Sequence, residues 1–337
     1  MTSSKKFWFE SNDRRIQLPT ALVLVGLCLI VASCRPEPRT SYLKGNTMGT
    51  FYTVKFVRNA QPDSSLQDDL EACLDDFEDQ LSNWRPDSWV NRFNALPAAE
   101  PSPIPDHAFY VIALFLELAK RSDGALDLTA SPLIDLWGFG PNRSETVPSP
   151  AAINAALDDV GYRLLAFDPD SRLLTKLYSN VELNCSAVAK GYAVDLVAHF
   201  LEEKRIENFV INIGGEIFAR GRNETQQPWK IAVAKATREK ATSAPPQIFA
   251  LRDRAIATSG HTYRVFEQEG HRYSHIIDPR TGYPVEAHYA AATVIADSCA
   301  LADGLATLAL ILTESEMKTL LSSYPSAELY LTPWQAN

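Results

Sequence analysis

The sequence predicts an α+β fold, with mixed and antiparallel sheets packed against helices. Three observations carry that expectation. Residues 64–83 and 106–122 repeat apolar side chains near helical spacing. Short alternating or apolar runs, such as TFYTVKFVR at 50–58 and FVINI at 209–213, read as strands. The two kinds of segment mix without strict β-α-β alternation, which argues against a doubly wound parallel sheet.

Taken in order, residues 34–46 contain Pro36 and Pro38 and read as a short polar tether. Residues 47–337 form the folded domain. Its first strand is Thr50 to Arg58. Its first helix carries Leu66, Leu70, Cys73, Leu74, Phe77 and Leu81 near helical spacing. Pro97 to Pro105 is a loop, and the second helix is apolar along Phe109, Ile112, Ala113 and Leu116. A short helix at 150–160 precedes a hairpin-like pair around 163–167 and 172–177, split by Asp168-Pro169-Asp170. Ala187 to Lys204 is a further helix. The buried strand at 209–213 ends in Gly214-Gly215, a pair that permits close backbone approach. Strands follow at 216–220, 229–235, 247–258, 262–267, 271–277 and 290–296, with a polar loop at 236–246. A last helix runs from Cys299 to about Leu312. There is no internal repeat and no low-complexity segment.

The chain has 337 residues, 46% of them apolar, and a formal charge of −9. That supports a sizeable core. An acidic surface repels phosphate backbones, so nucleic acid is not an expected partner. The first 33 residues read as a signal peptide. Lys5, Lys6, Arg14 and Arg15 form its basic region, and Ala21 to Ser33 is an uncharged run too short to span a bilayer comfortably. It ends in Val31-Ala32-Ser33-Cys34, which resembles a lipobox and makes Cys34 the lipidated first residue of a mature bacterial lipoprotein. A plain anchor or secretory signal is the alternative, and each of these exports the protein. Arg35 follows Cys34, so the Asp that often retains lipoproteins at the inner membrane is absent, which points to the outer membrane. The expected location is the cell envelope, lipid-anchored and facing the periplasm. Cys73, Cys185 and Cys299 have no metal-type spacing and read as small core residues.

Five stretches carry the chemistry. In SHIIDPRTGYP, 274–284, Pro279, Gly282 and Pro284 exclude a regular helix or central strand and hold His275, with Arg280 nearby, in a fixed loop. In ALADGLATLAL, 300–310, Asp303 and Thr307 stand four apart on one helical face. A carboxylate beside a hydroxyl suits magnesium. A solvated face is the alternative, but the neighbours are all apolar, and an Asp among them needs a partner or an ion. In NCSAVAKGYAVD, 184–195, a helix start with Lys190 in its first turns favours an anion such as phosphate; spacing alone favours a lysine on the outer face. Finally, Trp84 in LSNWRPDSWVNRFN and the run GALDLTASPLIDLWGFG, with Asp127, Trp137 and Phe139, put aromatic rings beside polar loop groups, as a planar ligand requires. Core and turn packing is the alternative for these.

Together with TMGT at 47–50, INIGGEI and ATSG at 257–260, these motifs occur in one order that resembles the ApbE family. The resemblance runs from about Thr47 to Leu312. It implies a T-fold-related, two-lobed architecture with the flavin site in a cleft. It implies a FAD:protein FMN transferase: magnesium-bound FAD is cleaved at its pyrophosphate, FMN passes to a Thr or Ser hydroxyl of an exported redox protein, and AMP leaves. It also implies metal ligation by the side chains of Asp303 and Thr307 and the carbonyls of Ala187 and Ala306. FAD contacts follow at Met48, Trp84, Ala125, Leu126, Asp127, Asn184, Lys190 and Ile277, with His275 and Asp303 catalytic. Trp84 stands where many relatives have Tyr, and Asn184 where many have Asp, so residue 184 offers hydrogen bonds but no charge. Two alternatives use the same residues: a magnesium-dependent FAD pyrophosphatase yielding FMN and AMP, and a non-catalytic flavin-binding lipoprotein. The Asp303/Thr307 pair argues against the last, because binding alone does not need it.

Overall fold

A computed structural model of the protein describes residues 39–58, 64–140, 144, 146–234, 245–261 and 265–334. The expected signal segment and Cys34 lie outside these residues, as does most of the expected loop at 236–246. From Arg39 onward the chain forms one unit.

The chain begins with β1 (Arg39–Thr47) and β2 (Thr50–Arg58), paired antiparallel through all nine residues of each. This corrects the tether expected at 34–46, of which residues 39–46 are strand. Pairing with β2 makes the strand, and its polar residues hide it: of residues 40–47 only Leu43 and Thr47 are buried. The turn is Met48-Gly49, with φ of 51° and 69°. Two left-handed residues in a row are what a tight hairpin requires, and Gly49 meets that cheaply whereas Met48 does not.

Next come α1 (Leu66–Leu81) and α2 (Trp89–Asn94). In α1, Leu66, Leu70, Leu74, Phe77 and Leu81 form the buried stripe, while Cys73 is half-buried at its edge rather than in the core. After β3 (Ser102–Pro103), α3 (Asp106–Arg121) buries Ala108, Val111, Ile112, Phe115, Leu118 and Ala119. Of the stripe read from the sequence only Ile112 is buried. Both sides of this helix are apolar, and packing against the last long helix decided which turned inward: a Cβ on Gly304 would lie 2.5 Å from Leu118 Cδ1. Then follow α4 (Ser131–Leu136), α5 (Pro150–Leu157), β4 (Leu165–Asp168) and β5 (Leu173–Lys176), the last two forming the expected hairpin.

The second half holds α6 (Ser186–Glu203), β6 (Phe209–Ile213), β7 (Glu216–Arg220), β8 (Trp229–Val233), β9 (Gln247–Leu251) and β10 (Arg254–Gly260). The single strand expected at 247–258 is thus two, broken at Arg252-Asp253, where Asp253 takes φ 54°. Short pairs β11 (Val265–Gln268) with β12 (His271–Ser274), and β13 (Ile277–Asp278) with β14 (Tyr283–Pro284), lead to β15 (Tyr289–Ala296). The chain closes with α7 (Cys299–Ile311), α8 (Glu314–Leu321) and β16 (Glu328–Pro333).

The main sheet has seven strands in the order β1-β2-β6-β7-β10-β15-β16, every neighbouring pair antiparallel. Side chains alternate between its faces. Ala255, Ala257, Ala292 and Val294 pack with the helices, while Ile256 and Ile295 join Trp229, Phe249 and Leu251 of the β8–β9 hairpin on the other face. Small residues on the helix side let α7 lie close. A third cluster, built on Leu133, Trp137, Ile153, Phe266 and Ile277, lies under the 274–284 loop.

Candidate functional site

Helices α6 and α7 are locked together before any ligand is considered. Asp195 of α6 accepts hydrogen bonds from Cys299 N (2.7 Å) and Ala300 N (2.9 Å), the free amides at the start of α7. Burial, above all, pushes its carboxyl up to about 6. Gly191 permits the contact, since a Cβ there would meet Cys299 O at 2.3 Å. Its amide donates to Asp303 Oδ2 at 3.0 Å.

This lock brings three charges into one buried corner. Lys190 Nζ lies 2.5 Å from Glu216 Oε1 and 3.7 Å from Asp303 Oδ2. Glu216, at the start of β7, and Asp303, on α7, are both nearly fully buried. Burial raises both carboxyls, Glu216 to about 7, and Lys190 works against the rise. Burial also disfavours the Lys190 charge, but Asp303 and Glu216 outweigh it and hold the ammonium above its ordinary range. Two carboxylates share one ammonium, so the ionised corner keeps a negative charge in excess. Glu216 Oε2 is buried with no hydrogen-bond partner among the described residues. One turn after Asp303, the Thr307 hydroxyl lies 3.0 Å from Ser259 Oγ.

The corner opens into a cavity of about 630 Å³. Met48, Trp84, Ala125, Leu126, Asp127, Asn184, Ala187, Lys190, His275, Ile277, Asp303 and Thr307 all line it. Ala306 is fully buried in α7 and does not. Trp84 is 54% exposed, a broad ring left open to solvent at the cavity wall. Glu78 of α1 ties this side together. Its Oε1 accepts from Thr47 Oγ1 and Met48 N, both at 2.8 Å, and its Oε2 lies 3.3 Å from Arg85 Nη2, next to Trp84. These bonds offset the left-handed Met48.

The loop that carries His275 is clamped from beneath. Ser274 Oγ shares a hydrogen bond with His261 Nδ1 (2.9 Å) and accepts one from Ile276 N (3.4 Å), fixing the backbone on both sides of His275. Trp137 Nε1 donates to Gly282 O at 2.8 Å. Trp137 is wholly buried, so it holds the loop and offers no ring to a ligand. Arg280 does not line the cavity; its guanidinium binds Asp278 (2.8 Å) and Glu316 (3.2 Å).

Two lining residues use their polar atoms to fold the chain. Asp127 accepts from Thr129 N and Oγ1 and from Tyr162 N, so a ligand at 125–127 would meet backbone rather than a free carboxylate. Asn184 Oδ1 accepts from Ser186 N (3.0 Å) at the start of α6. Sequence reasoning missed Glu216, Asp195, Glu78 and His261 as site-building residues. Glu216 left a trace, a carboxylate among the apolar residues of a buried strand.

Among the described residues no group of three or more His, Cys, Asp or Glu side chains forms a metal site alone. The donor set at the corner is oxygen only, a carboxylate and a hydroxyl one turn apart, with negative charge in excess. That chemistry fits a hard divalent cation whose remaining ligands come from carbonyls, water or a substrate's phosphates.

Comparison with known proteins shows the family and the fold. The ApbE family model matches residues 48–331. A FAD:protein FMN transferase of Vibrio cholerae is 37% identical over 298 residues, 87% of each chain. That of Haemophilus influenzae is 36% identical over 310 residues, 89% of this chain and 88% of its own. Among solved structures, the flavin transferase ApbE from Vibrio cholerae superposes with a TM-score of 0.78 at 34% identity, over 88% of this chain and 97% of that one. The apo flavinyl transferase ApbE of Pseudomonas stutzeri gives 0.79 at 37% identity, over 89% and 92%. With the family model matched over residues 48–331, relatives above 30% identity over most of both chains and the same fold, the chain belongs to the ApbE family.

Proposed function

We propose that this protein transfers FMN from FAD to a Thr or Ser hydroxyl of an exported redox acceptor protein, with magnesium, and releases AMP. The acceptor oxygen bonds to the phosphorus on the riboflavin side, the pyrophosphate P–O bond to AMP breaks, and the hydroxyl gives up its proton. The observation that carries this reading is the Lys190–Glu216–Asp303 corner with Thr307, at the end of a cavity that also holds Trp84 and His275. In this reading the side chains of Asp303 and Thr307 would hold the metal, with the carbonyls of Ala187 and of Ala306, the latter from a residue that does not itself line the cavity. The ion supplies neutralisation of the pyrophosphate charge and alignment of the reacting groups. Trp84 and Met48 bound the flavin, and the backbone of Ala125, Leu126 and Asp127, with Asn184 and Ile277, positions the nucleotide. Lys190 contributes positive charge near the phosphates. His275 serves the transfer itself, accepting the hydroxyl proton when neutral or offsetting phosphate charge when protonated.

The test is incubation with FAD, magnesium and a Thr-bearing acceptor, read by mass spectrometry. An acceptor gaining FMN through a phosphoester supports transfer. Free FMN and AMP with an unmodified acceptor would make the protein a pyrophosphatase, and FAD bound but unconverted would make it a flavin carrier.

The export reading is part of the proposal: Cys34 carries lipid and holds the domain at the periplasmic face of the outer membrane. Its support is the basic, apolar and small-residue pattern of residues 5–34. Among the described residues no helix is long and apolar enough to cross a membrane. Normal lipid labelling of Cys34→Ala would reject it.

A further inference from the structure

Lys190 and a bound divalent cation would want the same carboxylate. The ammonium already lies 3.7 Å from Asp303 Oδ2, the oxygen that also accepts from Gly191 N. Were Lys190 to close that distance, it would act as an internal cation on the metal ligand. What draws it the other way is Glu216 Oε1, at 2.5 Å. Glu216 itself cannot swing away easily. It is nearly fully buried, it sits on β7 in the middle of the seven-stranded sheet, and its other oxygen has no hydrogen-bond partner among the described residues. Lys190 is the less buried member, with 34% of its side chain exposed, and it lines the cavity.

We infer that Glu216 is a positioning residue for the metal: it keeps the Lys190 ammonium off Asp303, so that the carboxylate is open to a divalent cation. The inference rests on the metal role of Asp303 proposed above. It assigns Glu216 no bond to the ion and no part in moving a proton. Charge counting agrees with it. With Glu216 ionised, the corner holds two negative charges and one positive, and an arriving dication finds net attraction. With Glu216 replaced by a neutral side chain, Lys190 and Asp303 form a closed pair, and the dication must displace an ammonium to bind.

The test is a titration with manganese(II) alone, an ion suited to oxygen ligands, with free ion counted by electron paramagnetic resonance and no FAD present. Glu216→Gln is expected to raise the dissociation constant about 10- to 100-fold, the usual loss when a partner supporting a metal ligand is removed. The same substitution made in a Lys190→Met background should cost only a small part of that, because the competing ammonium is gone. Lys190→Met alone should tighten the ion, and it carries the test if Glu216→Gln does not fold. Parent-like affinity in Glu216→Gln, an equal loss in both backgrounds, or no tightening in Lys190→Met would each overturn the inference while the metal reading stands. Absence of manganese binding that Asp303→Asn abolishes would overturn both.

Discussion

Lys176 and Lys190 are both drawn into the interior, and the protein treats them in opposite ways. Lys176 is wholly buried at the end of β5, where its ammonium donates to three neutral carbonyls: Asn94 O and Ser179 O at 2.7 Å, and Val181 O at 3.1 Å. Burial lowers its pKa, and Glu182 only partly opposes this. Lys190 reaches two carboxylates and is held above its ordinary range. The first arrangement gives the ammonium three acceptors and keeps its charge out of reach of a ligand. Two of its carbonyls, those of Ser179 and Val181, come from the segment that leads to Asn184, and the third, that of Asn94, ends α2, so the lysine ties that helix to the segment. The second leaves an unpartnered oxygen and an excess of negative charge beside open space. A buried lysine among carbonyls is thus part of the scaffold, whereas one among competing carboxylates is a place where binding can lower the energy.

Breaking the scaffold lysine should have the largest effect on stability. Lys176→Met strands three carbonyls and is expected to cost about 3 kcal/mol or more, taking roughly 1 kcal/mol for each lost donor. Chemical denaturation reads this, and an unchanged midpoint would mean that water replaces the ammonium and the comparison fails. Asp303→Asn should do the reverse. Transfer falls by about 100-fold or more, close to 2.7 kcal/mol in barrier, and added magnesium does not restore it. The melting temperature of this variant stays level or rises, because a buried charge kept for function is relieved. Magnesium-dependent turnover at the parent rate would remove Asp303 from the metal site.

His261 extends the comparison to a buried base that stays neutral. Burial first, then His275, Arg272 and His288, lower it to about 4, and its Nε2 has no hydrogen-bond partner among the described residues. Between its ordinary value and 4 the unfolded chain binds more protons than the folded one. Stability therefore falls as the pH drops from about 6.5 toward 4, by about 3 kcal/mol from this group. His261→Asn should flatten that part of the stability–pH curve, and an unaltered slope would show that the imidazole is not kept neutral. The smallest effect belongs to the exposed end of the cavity. Trp84→Ala should weaken FAD binding by about fivefold, roughly 1 kcal/mol of ring contact, with no shift in denaturation midpoint. Equal FAD affinity in a binding titration would place the flavin elsewhere.

Much of this molecule follows from short-range pattern. The stripe of α1, the β4–β5 hairpin, the buried strand before Gly214 and the Asp303–Thr307 pair are all spaced by the period of one element, so neighbours in sequence suffice to find them. The Thr313–Glu316 capping box was equally local and marks α8, an element the pattern reading passed over. Sheet membership was not local. β1 looks like a polar tether until β2 pairs with it, because an edge strand buries little of itself. The inward face of α3 was set by Gly304 on α7, far along the chain.

The sequence by itself determined the fold class, the motif order that marks the ApbE family and a dozen of the residues lining the cavity. Only the tertiary structure decided how those residues share their charges. Lys190 meets Glu216 across 26 positions of chain, Gly191 meets Asp303 across 112, and Asp195 caps α7 across 104. No local period encodes such contacts. They depend on the order of strands in the sheet and on a glycine that lets two helices touch, and these are fixed only when the whole core has packed.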